Sequence, residues 1–400
     1  MTYKQKLKRN IKLYRWLNLF AGMIFTVPVW VSFYTRILNF TQLAFFCSLG
    51  LGVTVLLEMP SGALADLIGR RKTVMLGFLL FGLLDVLIIF ASTSWLLLIV
   101  ILVSGVAEAL ISGSDVALLF DTLKELKKEN NFPKINARNS LIFRMALIAA
   151  TFFGGYLYKA FIGLPYIVMG ITRFVIVGIV LLMVEPKIDT EKFSISSYAK
   201  QVKDGFKELF KSSYMKKLTI YYAFVGGITW TCLSYFNPPF IQEFGFSEVE
   251  RSWVFGLIYL FASLILLLLT KKDEFLTRNR IYLGFPLVLV LSLLPGIFST
   301  KALAPLLVLG TTFAGISRFV ILDKYTNKEF LSKYRATAIS ALNMLVSLFY
   351  MIIVGISGRI QDIYSTKLIF TILGGLTLIF VLPTGISLVK EYKYYLERKE

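Results

Sequence analysis

Residues 58–73 read EMPSGALADLIGRRKT, two acids, two glycines and three consecutive bases set between apolar runs. QLAFFCSLGLGVTVLL precedes the stretch and VMLGFLLFGLLDVLIIF follows it. Each run approaches the about twenty residues that a helix needs to cross a hydrocarbon core. The stretch is therefore the short turn between two membrane-spanning helices. Composition extends that reading to the whole chain, since 56% of its 400 residues are hydrophobic, only 17% are charged, and mean hydropathy is +0.71. A water-soluble core has no use for so much apolar surface. The expected fold class is an all-α polytopic membrane protein.

Twelve apolar runs follow one another between residues 14 and 389, and the loops between them alternate in charge. With KQKLKRN at the N-terminus inside, the loops carrying most of the 43 Lys and Arg all fall on the same side, and both termini with them. The net charge of +19 is thus spread along one membrane face, where it attracts anionic inner-leaflet lipid; no nucleic acid partner is implied. The expected location is the plasma (cytoplasmic) membrane. Histidine is absent, and the two cysteines, Cys47 and Cys232, fall in separate spans. No metal site, cofactor site or catalytic group follows from such a sequence, so an enzyme is not expected.

The longest interior interruption runs from residue 185 to 217 and divides the spans six and six. Domains are expected at 1–184 and 218–400, with 185–217 as a cytoplasmic linker whose Tyr198, Val202, Phe206, Leu209 and Phe210 recur at helical spacing beside Lys200, Lys203, Lys207 and Lys211. The halves echo each other. Asp121, a basic loop and Arg138 follow the fourth span; Asp323, a basic loop and Arg335 follow the tenth. Such echoes indicate a duplicated six-helix unit.

Gly62, Ala65, Asp66, Gly69, Arg70, Arg71 and Lys72 fit a Gly-x-x-x-Asp-x-x-Gly-Arg-basic signature. In this the chain resembles the major facilitator superfamily, which carries that signature between its second and third helices. The resemblance implies twelve transmembrane helices in two pseudo-symmetric six-helix bundles that expose a midplane site alternately to either side. It also implies that Gly62, Asp66, Gly69, Arg70 and Asp121 form a conformational lock. Asp66 would meet the start of the eleventh helix, near Tyr334 to Ala336; Gly69 would allow the tight turn, and Arg70 would reach Asp121 on the fourth helix.

Ionisable residues at bilayer depth are the functional candidates. Glu108 lies near the middle of the fourth span with no obvious basic partner at its depth, which makes it the leading proton carrier; Asp115 and Glu58 come next. An ion pair among Glu58, Asp115 and Arg144 is the cheapest arrangement for those three. Asp85 falls on the third helix, which the resemblance makes peripheral. Arg173 and Arg318 suit an anionic substrate, a snorkelling role or a local carboxylate equally.

In the family, helices 1, 4, 7 and 10 line the cavity. Here the candidate cavity residues are Asn18, Trp30, Tyr34, Arg144, Tyr222, Trp230, Asn237 and Arg318. Aromatic walls with few polar groups fit apolar or cationic amphiphiles. The resemblance to drug:proton antiporters is partial, since ATFFGG at 150–155 keeps only the closing glycine pair of their fifth-helix signature, and their fourth-helix arginine is missing. The resulting expectation is a monomeric, proton-coupled exporter of amphiphilic small molecules, with proton-coupled uptake or lipid flipping as alternatives.

Overall fold

Short polar residues ahead of the apolar runs start several of the helices. The hydroxyls of Thr93, Ser212 and Ser365 accept hydrogen bonds from the backbone N–H groups of Leu96, Met215 and Leu368. Proline occupies the first turn of Phe132–Ala160, Leu164–Leu181 and Ala304–Ser317, where its missing N–H costs nothing. The computed structural model describes residues 2–187, 203–271, 276–331 and 335–397. Tyr198, Lys200 and Val202 of the expected linker, and Tyr334 at the expected start of the eleventh helix, lie outside them.

Each of the twelve apolar runs contains helix among the described residues, the first being interrupted between Ala21 and Trp30. Nine of these helices are long and apolar enough to cross a membrane by length and composition. The first, seventh and ninth runs fall outside that set for visible reasons. Tyr3–Ala21 carries six basic residues in 19, Ser213–Thr231 has two lysines in its first turns and three tyrosines, and Arg278–Leu293 has only 16 residues.

The chain divides into two compact units, one comprising Met1–Leu38, Phe46–Phe193 and Ser247–Gly256, the other Asn39–Phe45, Ser194–Phe246 and Leu257–Glu400. The first unit packs Tyr14, Leu17, Val74, Phe78, Leu118, Leu119, Leu123, Ile176 and Val180 into one core, joining the first, third, fourth and sixth spans. With lipid as solvent, such a core is held by close packing more than by exclusion of water. The second and fourth spans approach so closely that a Cβ on Gly105 would stand 2.5 Å from the Gly50 carbonyl, and Thr54 donates to the Gly105 carbonyl at 3.1 Å.

Two kinds of irregularity interrupt the spans. In the first unit the fourth span is broken: Ser94–Ile111 ends at Ser112, Gly113 adopts φ +75°, and Ser114–Glu125 begins anew. A Cβ at Gly113 would meet no described atom within 4 Å, so the backbone dihedral and not crowding calls for glycine there. In the second unit the seventh, tenth and twelfth spans each contain a π turn, at Cys232–Phe236, Arg318–Leu322 and Thr377–Val381. Each holds one residue more than an α-turn, a feature that recurs at functional sites.

Candidate functional site

The 58–73 stretch folds as its residue types suggest. The helix Phe40–Ile68 ends at Gly69, which at φ +98° turns the chain into Arg70–Leu87. Arg70 Nε then lies 2.8 Å from Asp121 Oδ2 on the fourth span, and Asp66 stands close enough to Asp121 for the two carboxylates to feel each other. Gly62 is exposed, and a Cβ there would meet no described atom within 4 Å. Space alone therefore does not require a glycine at 62.

Glu185 completes this corner, and sequence reasoning gave it no role. Its carboxylate accepts from Arg70 N–H at 2.7 Å and Arg71 N–H at 2.9 Å, capping a helix start from more than a hundred residues away. Burial pushes the Glu185 carboxyl above the usual carboxylate range, against the opposing pull of the two N–H bonds and the Arg71 and Arg70 charges. A Cβ on Gly69 would come within 2.9 Å of that carboxyl, so Gly69 serves both the turn and the cap. Arg71 donates to the carbonyls of Val180 and Leu181, tying the same helix start to the sixth span. Glu185→Ala strands two N–H groups and should cost about 1–2 kcal/mol. Thermal unfolding in detergent measures this, and a mutant as stable as wild type would mean that solvent replaces the cap.

A second cluster lies deeper in the first unit. Arg173, on the sixth span, lies beside Asp85 on the third, and its charge is felt by Glu108 on the fourth. Its Nε stands 3.9 Å from Asp85 Oδ2, and its guanidinium lies 5.7 Å from the ring centroids of Phe78 and Phe81. The Arg173 charge thus bears on Glu108. Sequence alone conceals this because Arg173 stands on another span and not along the same helix. Glu108 sits in the last turn before the Ser112–Gly113 break and Asp115 in the first turn after it, near enough to interact. Asp115 accepts a hydrogen bond from Val116 N–H, and the hydroxyl of buried Tyr14 lies near its carboxylate. Asn18, one turn along the first span, donates to the Tyr14 carbonyl at 2.8 Å. Glu58 is exposed on the second span, and Arg144 is half-buried on the fifth.

In the second unit the π turn of the tenth span begins at Arg318, which is only 2% exposed. Its Nη1 donates to the Tyr222 hydroxyl at 3.5 Å, and that hydroxyl donates in turn to Asp323. Arg318 thus reaches a local carboxylate through a tyrosine. The guanidinium also lies 4.1 Å from the Phe319 ring centroid. Trp230 meets Phe319 edge to face at 6.4 Å. Asn237 is buried and receives Thr311 Oγ1 at 3.0 Å while donating to Thr312 Oγ1 at 3.3 Å, so it ties the seventh span to the tenth.

Comparison with known proteins agrees with this architecture. Among curated proteins, the chain is 24% identical over 375 residues to the uncharacterized MFS-type transporter YxaM of Bacillus subtilis (strain 168), covering 91% of this chain and 92% of the relative. Among solved structures, nucleoside transporter NupG superposes with a TM-score of 0.74 at 14% identity, over 98% of this chain and 100% of that one. A bacterial homolog of the human lysosomal transporter Spinster, solved inward-facing and unoccupied, superposes at 0.67 with 15% identity, over 99% of this chain and 96% of that one. At such identity these likenesses speak for the fold alone. The sequence profile of the Major Facilitator Superfamily matches residues 15–348. This chain belongs to that superfamily, and is an integral membrane transporter and not an enzyme.

Proposed function

We propose that this transporter couples substrate movement to protons and exports amphiphilic small molecules by alternating access, with Glu108 as proton carrier. The observation that carries the reading is the charge count around Arg173. Asp85 Oδ2 stands 3.9 Å from Arg173 Nε, and Glu108, at similar membrane depth, lies near enough to feel the same guanidinium, so the group holds one uncompensated negative charge when both carboxylates are ionised. An unneutralised charge at that depth is costly. A proton on Glu108 neutralises the group, and losing that proton to water on one side drives the cycle. Asp115, across the helix break from Glu108, is the second candidate for the proton, and Glu58 the third. The aromatic residues near both clusters support an amphiphilic substrate. The stretch from Gly62 to Arg70, with Asp121, acts as a conformational lock.

The protein works as a monomer in the plasma membrane with both termini in the cytoplasm. Reconstituted into liposomes, it should move lipophilic amines or other amphiphiles against their gradient when a pH difference is imposed. Indifference to the pH difference across a panel of substrates would refute coupling. Asn130→Cys in a background without Cys47 and Cys232 should react with an impermeant thiol reagent only from the cytoplasmic side. Labelling from outside intact cells would reverse the orientation.

A further inference from the structure

A cavity of about 240 Å³ lies within the first unit, among the first, third, fourth and sixth spans. Trp30, Tyr34 and Tyr166 supply three aromatic rings of its wall, Met169 a thioether, and Ser104 and Thr26 hydroxyls. Asp85 supplies the carboxylate.

Two of these lining residues are deeply buried yet incompletely used. Asp85 is 8% exposed and its Oδ2 takes part in no hydrogen bond, its nearest cation being Arg173 Nε at 3.9 Å. Tyr166 is 4% exposed, and its hydroxyl likewise has no hydrogen-bond partner. Buried polar atoms without partners are rare and call for an explanation. A purely apolar guest would leave both unsatisfied. An anion would meet Asp85 head on. A protonated amine satisfies both atoms, donating to Asp85 Oδ2 and the Tyr166 hydroxyl while its apolar body lies against aromatic faces, which attract cations. Arg173 permits this because its contact with Asp85 is long, at 3.9 Å, and its charge also bears on Glu108. Leaning toward Glu108 frees Asp85 for the guest, and the guest supplies the one positive charge the group lacks.

We propose that this cavity is a binding site for a small organic ammonium ion, with Asp85 as its counter-ion, Tyr166 as hydrogen-bond acceptor and Trp30 and Tyr34 as its aromatic wall. The proposal rests on the export reading above only for the claim that such an ion is transported. Its volume suits an amine carrying one aromatic ring, which is smaller than the guests of most drug-sized pockets.

The test compares 2-phenylethylammonium with its uncharged counterpart 2-phenylethanol, by calorimetric titration of the detergent-purified full chain at fixed pH. Wild type should bind the ammonium at least about tenfold more tightly, the range of one charge-assisted contact. Asp85→Asn should abolish that preference while still binding the alcohol, a result that an unfolded protein cannot give. Ser104→Phe fills the cavity without touching its charges and should weaken both ligands. Equal wild-type affinity for the two ligands would overturn the assignment, and so would ammonium binding unaffected by Ser104→Phe. Loss of pH-driven transport in a wild type that keeps the ammonium preference would refute the coupling reading alone.

Discussion

Replacing Glu108 by Gln is expected to reduce pH-driven accumulation in proteoliposomes to the level of protein-free vesicles, while binding of an uncharged amphiphile is retained. Gln keeps the shape of the side chain and removes its titration. The group around Arg173 is then neutral in all states, with one carboxylate against one guanidinium, and no proton is needed to balance it. Full pH-driven transport by the mutant would remove Glu108 from the role and move it to Asp115, across the break in the same span. Loss of neutral-ligand binding as well would make Glu108 part of the substrate site.

The second large effect concerns stability. Arg173→Met leaves Asp85 and Glu108 facing each other's surroundings with no cation between them. Removing one partner of a buried ion pair costs about 3–5 kcal/mol, because the remaining charge stays desolvated and unpaired. Thermal unfolding of the purified mutant should fall accordingly. Combining Arg173→Met with Asp85→Asn should recover part of the loss, since only one carboxylate then lacks its partner. A single mutant as stable as wild type would mean that Arg173 does not compensate these carboxylates. A double mutant less stable than the single would show that Asp85 has a second partner.

What the sequence made legible is local. Spans announce themselves as apolar runs of the right length, and a glycine between Ile68 and Arg70 announces a turn whose backbone only glycine adopts without strain. Pairing of Arg70 with Asp121 was accessible through the family resemblance that places those two residues together. Glu185 was not, because no pattern near residue 185 says that its carboxylate will cap a helix starting at residue 70. For Arg173 a local carboxylate was one of three equal readings, but which carboxylate was not legible for a related reason: Asp85 and Glu108 sit on two other spans, and bringing them near Arg173 requires knowing which face each helix turns inward. The break at Gly113 left a trace in SGSD, a glycine followed by residues suited to starting a helix, but the apolar run on its N-terminal side outweighed it. The π turns left none. One extra residue in a run of apolar side chains changes neither composition nor length enough to notice.

The break also turns the C-terminal end of the fourth span, Ser114–Glu125, into a short lever. Asp121 lies eight residues beyond Gly113, about 12 Å along the axis at 1.5 Å per residue. A swing of about 15° at that one glycine displaces the carboxylate by about 3 Å, as much as the whole length of its contact with Arg70, while no helical hydrogen bond in either segment has to open. That ion pair, together with the packing of Leu118, Leu119 and Leu123 into the core, therefore restrains how freely the segment swings, and a side chain at 113 that resists left-handed dihedrals would stiffen the joint without altering any charge.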